Sequence, residues 1–147
     1  MKYTVDIIIN KGIDQIIPLF DNTDNMYKWM EGLQRFEALE GTPGEVGAKS
    51  KMFFISGKRE IEMIETITVK DLPREFSATY EAKGVYNLVR NHFISEGENQ
   101  TRYSTDQEFQ FTGFMKLIAV FMPGAFKKQT LRHMQAFKTF AERELAS

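Results

Sequence analysis

Hydrophobic and polar positions alternate through most of the chain. In KREIEMIETITVKD, Ile61, Met63, Ile67 and Val69 share one phase. Glu60, Glu62, Thr66 and Thr68 take the other, with Ile64 as an exception. Period two is the mark of a half-buried strand. One residue breaks the rule: Glu65 stands on the apolar phase.

The same reading extends to the whole chain. KYTVDIIIN is strand-like, and GIDQIIPLFDNTDNMYKWME reads as two short helices broken near Asn22-Thr23, with Thr23 or Asp24 as N-cap. From Leu33 to Phe111 strands alternate with the turn signals GTPGEVG, SG, KDLPRE, KG and EGEN. From Phe114 to Ala146 the pattern becomes helical, with a break at Pro123-Gly124. Phe126, Thr130, Met134, Phe137, Ala141 and Leu145 recur at spacings of three and four, one stripe of a long amphipathic helix. Lys127 and Lys138 lie near its edge and are expected to snorkel. An antiparallel meander followed by one long amphipathic helix predicts an α+β architecture. A sheet of about seven strands curls, and its concave face grips the C-terminal helix.

Two-residue turns set hairpin register. A turn at Ser56-Gly57 places Ile55 opposite Lys58, Ser50 opposite Met63 and Ala48 opposite Glu65. Lys49 and Lys51 then point outward. A turn at Lys83-Gly84 places Tyr80 opposite Asn87 and Ala78 opposite Val89. Across the longer KDLPRE loop, apolar matching pairs Val69 with Phe76, Ile67 with Ala78 and Glu65 with Tyr80. Glu65, Tyr80 and Asn87 therefore lie side by side on three strands, facing inward. Opposite Cβ atoms are roughly 5 Å apart, so Tyr80 and Asn87 are expected to donate to Glu65. TRYSTDQEFQF adds Gln107 to this patch and Phe109 to its apolar wall. Arg59 lies about 20 Å of strand away from Glu65 and is no partner for it.

The chain has 147 residues, 42% of them apolar, which suits one domain over residues 1–147 with a sizeable core. Net charge is −1, from 19 basic and 20 acidic residues, so overall balance offers nothing to nucleic acid or an anionic membrane. No cysteine is present. MKYTVDIIIN lacks the apolar run of a signal peptide, and FMKLIAVFM is far shorter than the ~20 residues that span a bilayer. The expectation is a cytoplasmic protein, monomeric or weakly dimeric, without cofactor. His92 and His133 are far apart with no carboxylate at ligand spacing, so no metal site is expected. GTPGEVGAKS lacks the spacing of a phosphate loop and joins two strands, so it reads as a glycine turn at a pocket rim. No nucleophile–histidine–acid arrangement emerges.

DNTDNMYKWMEGLQRFEALEGTPGEVGAKSKM, together with FMPGAFKKQTLRHMQAFKTFAE, resembles the SRPBCC superfamily, the START-like, polyketide cyclase/dehydrase group with the helix-grip fold. The resemblance runs over nearly the whole chain. It implies a shared pocket between sheet and terminal helix rather than a shared catalytic motif.

The expected pocket is lined by Met63, Glu65, Tyr80, Asn87, Val89, Gln107, Phe109, Phe126, Thr130 and Met134, with Trp29 packing beside it. Three functions remain open. The first is binding of one small, mainly apolar molecule: a lipid, an aromatic or a polyketide-like compound. The second is a cyclase or dehydratase using Glu65 as base or acid and Tyr80 as proton donor. The third is a protein-interaction or co-chaperone role. FMKLIAVFM likewise has three readings: core, pocket lid, or membrane or partner contact.

Overall fold

A computed structural model describes residues 1–146. Seven strands run β1 (Lys2–Ile9), β2 (Leu33–Glu40), β3 (Lys49–Ser56), β4 (Arg59–Asp71), β5 (Glu75–Ala82), β6 (Val85–Ser95) and β7 (Thr101–Phe111). They form one sheet in the order β1-β7-β6-β5-β4-β3-β2, every neighbouring pair antiparallel. Between β1 and β2 lie α1 (Ile13–Phe20), a 3₁₀ turn at Thr23–Asn25 and α2 (Met26–Trp29). After β7 come α3 (Phe114–Phe121) and the 22-residue α4 (Pro123–Glu144). The expected meander, the two short helices and the terminal helix are all present.

The cap between the short helices differs by one residue from expectation. Asn22, not Thr23 or Asp24, is the N-cap, its side chain accepting from the Asp24 N–H at 3.0 Å. Pro123 opens α4 at a first-turn position, where a missing N–H costs nothing.

α4 crosses the concave face along β1 and β7. The Tyr3 hydroxyl bonds the Thr130 hydroxyl at 2.7 Å, and Lys138 Nζ donates to the Ile8 carbonyl at 2.7 Å. Lys138 thus snorkels as expected; Lys127 is simply exposed. Met134, Phe137 and Ala141 of the predicted stripe are buried, joined by Phe140. Phe137 is the hub. Its ring lies 5.0 Å from Trp29, 5.5 Å from Phe20 and 6.0 Å from Tyr103. Ile9, Ile16 and Phe93 complete this cluster. A second, smaller cluster of Met26, Leu33 and Met52 sits under β2–β4.

The hairpin registers decide which side chains meet. Ala82 pairs with Val85 and Tyr80 with Asn87, as the Lys83-Gly84 turn requires. Glu65 pairs with Tyr80 and Ile67 with Ala78, but a bulge after Ile67 then puts Val69 opposite Ser77 rather than Phe76. The β3–β4 loop is Gly57-Lys58, not Ser56-Gly57: Ser56 faces Arg59, Met52 faces Met63, and Ser50 replaces Ala48 opposite Glu65. Gly57 has φ +63. A glycine in that conformation at the first central position is the signature of a II′ hairpin, which moves the loop by one residue. Partners move by two, so every side chain keeps its face. Lys51 accordingly points outward, paired with Glu62 at 2.9 Å.

Candidate functional site

β4 and β5 bring Glu65 and Tyr80 together because they are directly paired and share the inward phase. The Tyr80 hydroxyl donates to Glu65 Oε2 at 2.7 Å. Glu65 is 6% exposed, and among the described residues this is the one hydrogen bond its side chain accepts. Burial raises its pKa above the ordinary carboxylate value; the Tyr80 bond opposes that and is the smaller effect. Tyr80 is held well above the ordinary phenol value by burial first, then by the charge of Glu65 and the bond to it. At neutral pH Tyr80 is therefore protonated and is the donor of this bond.

Asn87 does not reach Glu65. Its amide donates to Gln107 Oε1 at 3.0 Å and to the Glu108 carbonyl at 3.2 Å. Gln107 in turn donates to Thr105 Oγ1 at 3.0 Å. The single polar patch expected across the strands is thus two networks: Glu65–Tyr80 and Asn87–Gln107–Thr105. The reason lies in β6–β7 pairing. Asn87 stands opposite Phe109 and Val89 opposite Gln107, so a second amide and the Glu108 carbonyl lie within reach of Asn87.

The remaining candidates fall into two groups. Met63, Tyr80, Asn87, Phe109, Phe126 and Thr130 point between sheet and helix yet stay only half-buried. Phe126 closes on Phe109 at 5.3 Å and on Phe111 at 4.8 Å. Trp29, Val89, Gln107 and Met134 are buried. Trp29 and Met134 belong to the main apolar cluster. Tyr80 is enclosed deeply enough for burial to dominate its ionisation, yet keeps accessible surface.

Two inward groups, Tyr3 and His133, escape the pattern reading, while Ser50 is inward as its strand phase requires but meets a different partner. Tyr3 alternates with Val5, Ile7 and Ile9 in β1, and that alternation is the signal for its inward phase. Ser50 faces Glu65, and the II′ glycine rule finds it. His133 stacks on Trp29 with ring centroids 4.8 Å apart. Burial lowers its pKa to about 4, opposed by the charge of Glu31, so it is neutral at pH 7. It stands three residues after Thr130 and four before Phe137, at the edge of the predicted stripe, and that spacing is its sequence signal. The buried Trp29 Nε1 has no acceptor among the described residues.

Two open clefts lie elsewhere. One, of about 500 Å³, is bordered by Pro18, Asp21, Thr23, Pro43, Gly44 and Glu45, with Lys70 bridging Asp21 at 3.2 Å and Glu45 at 3.0 Å. The glycine-rich β2–β3 loop therefore rims this polar cleft. The other, of about 220 Å³, lies at the β5–β6 turn between Glu81, Val85, Tyr86 and Thr112. Neither is lined by a predicted pocket residue.

No family model matches the chain, and no curated protein matches it in sequence. Solved structures do match in shape. A conserved protein from Geobacillus kaustophilus superposes with TM-score 0.82 at 14% identity, covering 97% of this chain and 96% of that one. The Zhui aromatase/cyclase from Streptomyces sp. R1128 gives 0.79 at 9%, covering 99% and 95%. Norcoclaurine synthase from Thalictrum flavum, in complex with dopamine and hydroxybenzaldehyde, gives 0.74 at 15%, covering 97% and 87%. At such identities likeness speaks for architecture. With its seven-stranded antiparallel sheet closed around a C-terminal helix, the chain has the α+β helix-grip fold that these structures share.

Proposed function

We propose that the chain binds one small, mainly apolar molecule between the concave face and the N-terminal half of α4. One observation carries the reading: packing differs between the two ends of the sheet–helix interface. Around Phe137, Tyr103, Ile9 and Ile16 the interface is closed and dry. Around Phe126, Thr130, Phe109, Met63 and Tyr80 inward-facing side chains retain accessible surface. Apolar walls with a few convergent polar groups are the usual make-up of a small-molecule site. Glu65 and Tyr80 orient the occupant, Asn87, Gln107 and Val89 form the sheet wall, and Met134 and Trp29 mark the floor. A ligand acceptor at Trp29 Nε1 satisfies a donor whose burial otherwise costs about 1–3 kcal/mol.

A second reading is favoured by a specific feature. A buried carboxyl with a raised pKa, held by a phenol, suits proton abstraction or return on a bound substrate. Two structures sharing the fold are a synthase and an aromatase/cyclase, which raises the weight of cyclase-type chemistry here.

Native mass spectrometry of the protein isolated from its own cells tests the first reading. The expected result is a retained small molecule released on denaturation. Protein that arrives empty, and then takes up neither fatty acids nor polycyclic aromatics, sinks the proposal.

A further inference from the structure

α3 turns an apolar face to solvent. Phe114 is 71% exposed, Val120 70% and Phe121 79%, with Leu117 also exposed. Spacings of three and four put Phe114, Leu117 and Phe121 on one side, with Val120 beside them. The opposite side, Met115, Ile118 and Ala119, is half-buried against the protein. Met115 packs on Gly84, where an added Cβ would meet Met115 Cγ at 2.9 Å. No residue of α3 is buried. A helix apolar on both sides is covered on both sides in its working state.

Charge identifies the cover. From Phe109 to Ala141 the chain has no Asp or Glu but carries Lys116, Lys127, Lys128, Arg132 and Lys138. Arg132 pairs with Glu31 at 2.9 Å, and Lys138 binds the Ile8 carbonyl. Lys116, Lys127 and Lys128 are exposed and make no ion pair among the described residues. Lys58 and Lys83 are likewise exposed, in the two hairpin turns at the same end of the sheet. Glu60 and Glu81 flank those turns and leave this end basic. The overall charge of −1 conceals the concentration.

We infer that α3 docks this end of the protein on an anionic lipid surface. The short helix lies in the interface plane, its aromatic and aliphatic side chains entering the acyl boundary while the lysines meet acidic headgroups. Among the described residues no helix is long and apolar enough to cross a bilayer. A second copy fits less well. Pairing two α3 faces about a two-fold axis sets lysine against lysine, whereas an anionic surface neutralises them. The inference stands on α3 and its lysines and does not depend on the proposed pocket.

The test is sedimentation of the full chain with vesicles of phosphatidylcholine alone, or of phosphatidylcholine containing phosphatidylserine. Binding to the anionic vesicles alone is expected, weakening as salt rises. Leu117→Ser with Phe121→Ser changes exposed side chains, so circular dichroism stays native while binding falls about tenfold or more. Lys127→Glu with Lys128→Glu removes the preference for phosphatidylserine. Absence of binding to anionic vesicles, or equal binding by the double variants, overturns the inference. So does ultracentrifugation showing a dimer that Leu117→Ser with Phe121→Ser dissolves without vesicle binding; that result assigns the face to a second copy.

Discussion

The Tyr80 hydroxyl and the Glu65 carboxylate meet at 2.7 Å across adjacent strands, inside the fold. Burying a carboxylate with one hydrogen bond opposes folding, and the direction of the Glu65 pKa says so.

Glu65→Gln follows directly. The native carboxyl holds its proton more tightly than the unfolded chain, whose ordinary value is 4.5. Its stabilising contribution is complete below that pH and is lost as pH rises through the native value. The melting temperature of Glu65→Gln relative to wild type therefore increases with pH above 4.5. A thermal series showing the gap constant or shrinking with pH refutes the raised pKa. Ligand affinity or turnover, in contrast, falls about tenfold or more, equivalent to about 1.4 kcal/mol.

Tyr80→Phe removes the one hydrogen bond that lowers the Glu65 pKa. The carboxyl then titrates at still higher pH, which carbon-detected NMR of Glu65 reads directly. Where Glu65 is ionised, the loss of its donor costs about 1–3 kcal/mol in denaturant unfolding.

Thr130→Trp fills the space beside Phe126 and is expected to abolish binding of whatever molecule co-purifies. It also breaks the 2.7 Å bond to Tyr3. Tyr3→Phe breaks that bond without adding volume, so it keeps the ligand. Retention by Thr130→Trp moves the site elsewhere.

His133 works in the opposite sense from Glu65. Its native pKa of about 4 lies below the ordinary 6.5, so the unfolded chain takes up a proton first as pH falls. Stability decreases from pH 6.5 down towards 4. His133→Phe keeps a ring against Trp29 and flattens that limb of the profile; an unchanged acid limb shows another group is responsible.

Phe137→Ala empties the hub of the main cluster, where Trp29, Phe20 and Tyr103 converge. It should cost about 3–5 kcal/mol in urea unfolding, since neighbours on three other elements cannot all collapse inward. A loss under about 1 kcal/mol would mean that the helix is not gripped there.

Element order and faces were determined by the sequence alone, because both rest on local periodicity. Period two placed Glu65 inward, and spacings of three and four placed Met134 and Phe137 on the gripping side of α4. The pairing of Glu65 with Tyr80 was legible too, since apolar matching across β4 and β5 admits few registers. Even the misplaced Gly57 turn left each face intact, because hairpin partners shift by two. What only the tertiary structure decided was competition among inward polar groups and the fate of α3. Asn87 had Glu65, Gln107 and a backbone carbonyl to choose from, and position across β6 and β7 chose the latter two. FMKLIAVFM is apolar enough for core, yet α4 rather than α3 crosses the concave face, so α3 was left on the rim with Phe121 in solvent. Periodicity states which residues need a partner; only the packed fold shows which partners are already taken.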